Sequence, residues 1–394
     1  MSLAGKKTLG VAMVGYAFMG AAHSQAWRTV HRAFDVPVVP EMKVLYGRTR
    51  DAAEAAAGKL GWAQAGTDWR EVLGRDDVDI VDICTPGDTH AEIAIAALAA
   101  GKHVLCEKPL ANTVQEAEEM VAAARAARER GVRAMVGFNY RRTPALALAR
   151  DMIAAGRLGR IAHVRAQYLQ DWIVDPEFPL VWRLRKESAG SGALGDIGAH
   201  IIDLTQFVTG QRLTGVSALT ETFVKERPLP SAATGLSGTG STEKGAVTVD
   251  DAALFFGRLD GGGLASFEAT RFATGRKNAM RIEVNGSTGS LAFDFEFMNE
   301  LHFYDGTEPA AEAGFRRILV TEPDHPYIGA WWPPGHGLGY EHTFTHEIRD
   351  FLLAVESGTD PAPSFEDGLG IQRVLAAVQD SAESRSLWVD IPLT

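Results

Sequence analysis

Gly10-Val11-Ala12-Met13-Val14-Gly15-Tyr16-Ala17-Phe18-Met19-Gly20 decides how the chain begins to fold. An apolar run that does not alternate with polar residues reads as a strand buried on both faces. Gly15 permits a tight turn out of that strand, and Gly20 lets the following helix pack closely, so that its first amides can face a pyrophosphate. Ala17 stands where the dinucleotide fingerprint has a second glycine, and its methyl crowds the backbone's approach to phosphate. The turn by itself therefore reads either as a cofactor cradle or as a structural glycine turn. Gly15, Ala17, Phe18, Met19 and Gly20 are its cofactor-binding candidates.

Outward from this stretch, apolar strand-like runs at 10–14, 42–46, 79–84, 103–106 and 133–137 alternate with alanine-rich helical segments at 51–60, 89–100 and 114–130. Such alternation implies a parallel, doubly wound α/β sheet covered on both faces. The second strand ends Tyr46-Gly47-Arg48-Thr49-Arg50 after an inserted loop over 35–40, and no carboxylate sits at its tip to bond a free ribose. Arg48 or Arg50 could instead neutralise a 2′-phosphate with Thr49 donating a further bond, giving a weak lean to NADP; stacking on adenine or plain solvation is the alternative. Thr85-Pro86 ends a strand at the carboxyl edge of the sheet, where such sheets bind ligands. His90 follows and reads as a helix-start hydrogen-bonder; Thr85, Pro86 and His90 are cofactor-binding candidates.

Cys106-Glu107-Lys108-Pro109-Leu110 closes a later strand of the same sheet. A lysine there places a cation beside the reactive end of a bound dinucleotide, and so points to chemistry beyond binding; Glu107 and Lys108 are cofactor-binding candidates.

Past residue 141 the period changes. After an amphipathic helix over 144–155, runs such as 161–168 and 263–269 alternate apolar with polar residues, the mark of an antiparallel sheet with one exposed face. The expected division is a Rossmann NAD(P)-binding domain over 1–141 and an α+β domain over 142–394, built on a large open, mostly antiparallel sheet. A C-terminal helix over about 366–384 is expected to return toward the first domain. Within the second domain lies Gly190-Ser191-Gly192-Ala193-Leu194-Gly195-Asp196-Ile197-Gly198-Ala199-His200. Asp196 reads as an N-cap or first-turn residue, so Asp196 and His200 share a helix face. An aspartate beside a histidine fixes its tautomer and raises its basicity, as a general base requires. A capping aspartate beside a core histidine is the alternative.

The turn at Gly15, the Cys106-Glu107-Lys108-Pro109 motif and the Asp196-x-x-x-His200 motif together resemble the glucose-fructose oxidoreductase/inositol dehydrogenase/rhizopine-catabolism (Gfo/Idh/MocA) family of NAD(P)-dependent enzymes. The resemblance runs nearly end to end, to Ser364-Phe365-Glu366-Asp367-Gly368. Through Asn139-Tyr140-Arg141-Arg142-Thr143-Pro144 and Tyr168-Leu169-Gln170-Asp171-Trp172 it is similar to the levoglucosan dehydrogenase-like branch. The resemblance implies an enzyme oxidising a ring hydroxyl of a sugar, anhydrosugar or cyclitol. In that reading His200 takes the hydroxyl proton, Lys108 bonds the same oxygen, and Asp196 holds a neighbouring hydroxyl. Tyr140, Gln170, Trp172 and Arg183 would line the substrate cleft. A silent cofactor-sensing regulator and an NAD-dependent glycosidase are the competing readings of the same fold.

Composition narrows the field. With 39 basic and 50 acidic residues the formal charge is −11, which disfavours nucleic acid and anionic membranes as partners. The first apolar run is too short for a membrane span or a signal peptide, so a cytoplasmic protein is expected. Cys84 and Cys106 lack metal-ligand spacing, so buried free thiols and no metal are expected. The Gly/Ser/Thr/Pro-rich stretch 226–245 reads as a mobile loop, and Trp331-Trp332 as a lid or subunit contact. An exposed sheet face implies a homodimer or homotetramer.

Overall fold

The computed structural model describes residues 5–234 and 237–393. The chain divides into two units. The first runs to Asn139 and also takes Tyr340–Leu369; the second holds Tyr140–Ala233, Gly238–Gly339 and the segment from Gly370 onward. Residues 340–369 thus belong with the first unit, where the sequence had placed them in the second domain.

In the first unit, strands β1 (Lys7–Val14), β2 (Val38–Tyr46), β3 (Gln64–Gly66), β4 (Ile80–Ile83), β5 (His103–Glu107) and β6 (Ala134–Gly137) form one sheet in the order β3-β2-β1-β4-β5-β6. Every pairing in it is parallel. Helices α1 (Phe18–Ala33), α2 (Arg50–Leu60), α3 (His90–Ala99) and α4 (Val114–Arg128) connect the strands. This is the Rossmann order, and its direction reverses between β1 and β4, where such sheets take their ligands. The expected loop over 35–40 is shorter than its composition implied: β2 starts at Val38, and Pro40 pairs with Leu9 inside the ladder. Strand β3 pairs with β2 only over Val44–Tyr46, so Pro40 sits where β2 has a partner on one side alone, a position that tolerates a missing amide.

The second unit opens with α5 (Pro144–Ala154), β7 (Ile161–Leu169), the single-turn α6 (Lys186–Ala189) and α7 (Ala199–Thr209). Strands β8 (Leu213–Glu221), β9 (Glu226–Thr234), β10 (Ser237–Ala246), β11 (Ala252–Leu259), β12 (Leu264–Thr270), β13 (Ala279–Gly286), β14 (Gly289–Asp294), β15 (Glu300–Asp305), β16 (Arg316–Leu319) and β17 (Val389–Asp390) follow. Among the described residues β16-β15-β14-β13-β7-β12-β11-β8-β17 make a nine-stranded open sheet. Its pairs are antiparallel except β7 with β12. Alternation sets the two faces: Phe255 and Phe267 stack inward at 4.5 Å, whereas Leu219, Leu254, Phe256 and Leu264 stand outward with at least half their surface exposed.

The described residues of the stretch 226–245 form a two-stranded ribbon of β9 and β10, not a loop. Its base is held by buried Arg227, which donates to the carbonyls of Ile173 at 2.6 Å and Asp175 at 2.7 Å, and by Leu229 packed on Ile173, Leu180 and Val181. The polar composition hid two anchors that ladder pairing can use. Helix α8 (Tyr340–Ser357) packs on α1 within the first unit, and α9 (Phe365–Glu383) begins in the first unit and continues in the second. Trp331 and Trp332 lie beside each other, rings 6.3 Å apart, on an exposed turn.

Candidate functional site

In the first unit the chemistry-bearing groups collect at the switch point. Gly15 has φ of +95°, and a Cβ there would lie 2.7 Å from the carbonyl oxygen of Cys84, so the turns after β1 and β4 touch through a glycine. A Cβ at Gly20 would meet the Gly15 carbonyl at 2.3 Å, which fixes the second glycine as well. Helix α1 starts at Phe18 behind Ala17, which offers no side-chain cap, so its first amides remain for a ligand. Phe18 is half exposed and stacks with Tyr340 at 6.1 Å, and Met19 is half-buried. The turn therefore leaves the first amides of α1 uncapped by side chains, as a phosphate cradle would require, in spite of Ala17.

At the tip of β2, Gly47 has a steric cause. A Cβ there would sit 2.0 Å from Cε1 of Tyr16, whose ring leaves no room for a side chain at this position. Arg50 donates to the carbonyl of Ala65 at 3.3 Å and lies 3.8 Å from Glu54, so its charge is partly committed. Arg48 and Thr49 are exposed, Thr49 as the N-cap position of α2.

Thr85 and Pro86 lead into a short turn, where Thr89 Oγ1 donates to Thr85 Oγ1 at 2.7 Å. The two ring nitrogens of His90 face the carbonyls of Pro109 at 3.0 Å and Thr85 at 2.9 Å. His90 was a cofactor-binding candidate; with both nitrogens engaged it ties the turn after β4 to the Lys108 turn instead. Lys108 follows β5, and its amide donates to Glu107 Oε2 at 3.1 Å. The other carboxylate oxygen of Glu107 lies 3.0 Å from His23 Nε2, and His23 Nδ1 faces both oxygens of Asp82 at 3.0 Å. Trp27 Nε1 donates to Asp82 at 2.7 Å. Burial opposes charge on His23, but the carboxylate of Asp82 prevails and raises its pKa well above the usual value. Glu107, taken from sequence as a cofactor contact, is in fact buried and anchors Lys108 from behind. Donor atoms of His23, Asp82 and Cys84 lie within 4.8 Å of one another, yet Nδ1 is already committed to Asp82. Both cysteines are buried and free.

In the second unit Asp196 lies on a wide, π-type turn over Leu194–Gly198 that runs into α7, so it is a first-turn residue and not an N-cap. Turns of this kind cluster at functional sites. Asp196 keeps 27% of its side chain exposed, and His200 is nearly buried. The ring of His200 is wedged against Tyr140 at 4.7 Å and 71°, and against Tyr168 at 5.9 Å. Arg141 braces α7 through a buried pair with Asp203, its Nε 2.9 Å from Oδ2.

Tyr140, Gln170 and Trp172 are joined through Tyr168 of the same motif and through Asn278, which no motif singled out. The indole of Trp172 can only donate, and it reaches Gln170 Oε1 at 3.0 Å, which turns the Gln170 amide nitrogen toward Asn278 Oδ1 at 2.9 Å. Tyr168 also donates to Asn278 Oδ1, at 2.7 Å. Its proton being used, Tyr168 accepts from Tyr140 at 2.6 Å, while Asn278 Nδ2 donates to Tyr140 at 3.3 Å. One indole N–H thus fixes the direction of the whole chain, up to the ring that holds His200. Arg183 instead stacks its guanidinium 4.4 Å over Trp182.

Family models match both units. Residues 9–138 match the oxidoreductase family with an NAD-binding Rossmann fold, and residues 146–292 match the GFO/IDH/MocA C-terminal domain. The chain belongs to the Gfo/Idh/MocA oxidoreductase family. Levoglucosan dehydrogenase of Pseudarthrobacter phenanthrenivorans is 42% identical, over 98% of this chain and 99% of its own. A crystal structure of an oxidoreductase domain protein from Kribbella flavida is 66% identical with a TM-score of 0.94, covering 98% of this chain and 100% of that one. Levoglucosan dehydrogenase in complex with NADH and levoglucosan is 41% identical with a TM-score of 0.92, at the same coverage. As in the rest of this Gfo/Idh/MocA family, the first unit is the NAD-binding oxidoreductase domain. Among the described residues no helix is long and apolar enough to cross a membrane.

Proposed function

We propose that this chain oxidises a ring hydroxyl of a sugar, anhydrosugar or cyclitol to the ketone, with NAD(P) as hydride acceptor. When bound, the nicotinamide supplies the two-electron sink. The hydrogen on the carbinol carbon would leave with the electron pair of its bond as hydride, the hydroxyl proton would go to a base, and the carbon would be left as the ketone. His200 is that base: it is held by two aromatic rings on a helix braced by Arg141, and its neighbour Asp196 is open to a polar ligand. Lys108 bonds the same oxygen and stabilises developing alkoxide charge, the electrostatic help that dominates many such steps. Asp196 accepts from a neighbouring hydroxyl.

The observation that carries this reading is the directed chain from Trp172 to Tyr140, which supplies a set of fixed polar groups beside a general base. A silent sensor has no use for such order around a histidine. The relative that acts on levoglucosan supports an anhydrosugar among the substrates to try first. Arg48 is the group that would meet a 2′-phosphate, giving a modest lean toward NADP. The outward Leu219, Leu254, Phe256 and Leu264 support a homodimer or homotetramer formed through the second unit's sheet.

A screen of both cofactors against monosaccharides, anhydrosugars and inositols, read at the nicotinamide band, tests the reading. Reduced cofactor should accumulate with at least one polyol. Sugar release from a glycoside with no net reduction would instead select the glycosidase alternative.

A further inference from the structure

Arg271 is the first residue past β12, and its side chain is wholly buried. Its Nη2 donates to the carbonyl of Asp250 at 3.2 Å, and its Nη1 lies 3.6 Å from Asp196 Oδ2. The guanidinium carbon sits 5.5 Å from the centre of the Trp172 ring, within range of a cation–π contact. One buried cation therefore touches the carboxylate assigned to substrate and the indole that directs the amide chain.

The ground around it is equally specific. Asp250 accepts from the amides of Gly192 at 2.7 Å and Leu194 at 2.8 Å, so it pins the approach to the wide turn that carries Asp196. A Cβ on Gly192 would lie 1.7 Å from the Asp250 carbonyl oxygen and 2.9 Å from Arg271 Nη2. Gly192 is thus required so that backbone and guanidinium can close on each other. The other charges nearby are accounted for. Asp251 accepts from the amides of Phe223 at 2.8 Å and Val224 at 3.2 Å, and Arg227 donates to the carbonyls of Ile173 and Asp175. Asp171 lies 2.8 Å from Lys277, and Glu221 lies 2.7 Å from Lys225. Asp196 is the carboxylate that meets Arg271 with part of its surface still open to a ligand.

We propose that Arg271 is a positioning residue of this site: it aims Asp196 and seats Trp172 at the head of the amide chain. The proposal rests on the role assigned to Asp196 above. A guanidinium 3.6 Å from a carboxylate oxygen attracts it, so loss of the cation lets the Asp196 side chain turn from its aim. A misaimed Asp196 holds a substrate hydroxyl poorly, and the loss falls on polyol binding before it falls on the chemical step.

The experiment is kcat and KM for polyol oxidation at saturating cofactor, in the native protein, Arg271→Gln, Arg271→Lys and Asp196→Asn. Arg271→Gln should raise the polyol KM roughly tenfold with a smaller change in kcat, and leave cofactor affinity unchanged. Arg271→Lys keeps the charge and should recover most of the native KM. Asp196→Asn should raise the polyol KM at least as far as Arg271→Gln.

A native polyol KM in folded Arg271→Gln, with Asp196→Asn impaired, would overturn the proposal. So would an Arg271→Lys variant as impaired as Asp196→Asn, a result readable even if the glutamine variant fails to fold. An Asp196→Asn variant with native kinetics would instead overturn the role given to Asp196 itself.

Discussion

His23 Nε2 meets Glu107 Oε1 at 3.0 Å in the buried centre of the first unit, and Glu107 in turn holds the amide of Lys108. A histidine between two carboxylates is a buried ion network, in which removal of one member costs about 3–5 kcal/mol because the others are left unpaired. His23→Gln should be destabilised on that order, by denaturant unfolding. Burial disfavours charge on His23, but Asp82 lifts its folded pKa well above its unfolded value. Its contribution is then complete below about 6.5 and is lost as pH rises through the folded pKa. The native protein should therefore lose stability toward alkaline pH more steeply than His23→Gln. Parallel alkaline slopes would contradict the charged network.

The chain Trp172–Gln170–Asn278–Tyr168–Tyr140 predicts coupling. Tyr140→Phe and Tyr168→Phe each strand a buried partner, at a cost of about 1–3 kcal/mol. Because they share one bond, the double variant should lose less than the sum, by about 0.5–3 kcal/mol in a double-mutant cycle. Additive losses would show that the two hydroxyls do not act together.

Cofactor choice turns on Arg48. One charge-assisted arginine–phosphate contact is worth about 1.5–3 kcal/mol, or roughly tenfold or more in kcat/KM. Arg48→Ala should lower efficiency with NADP by that factor and leave NAD unchanged. An equal effect on both cofactors would place Arg48 away from the 2′-phosphate. Gly47→Asp should not yield NAD selectivity by itself, since the new Cβ would meet the Tyr16 ring at 2.0 Å. A second change at Tyr16 is needed, and kinetics of the single and double variants check it.

The outward face of β8, β11 and β12 predicts assembly. Leu254 pairs with Leu219 in register and both are more than half exposed. Leu254→Asp with Phe256→Asp should shift light-scattering mass to the monomer while each unit stays folded. A native protein that is already monomeric at micromolar concentration would contradict the assembly.

The Rossmann unit was legible because its signals are local: an apolar run, two glycines in a turn, and Lys108 at a strand end. Asp196 and His200 were legible as a motif, but the wide turn beneath them was not, since a π-type turn differs from an α-turn by one residue that no side chain announces. Asn278, Arg271 and His23 were missed because each acts on residues distant in sequence. Asp82 did carry a signal: a carboxylate inside a strand buried on both faces must have a partner. The ribbon over 226–245 was misread as a loop because its anchors, Arg227 and Leu229, are two residues in a polar stretch.

The most direct test of the account is the initial rate of reduced-nicotinamide formation with an accepted polyol, compared among the native protein, Lys108→Ala and His200→Ala. The account predicts a fall of about 10² or more in kcat for each variant, with cofactor affinity retained. Near-native turnover in both variants would contradict it.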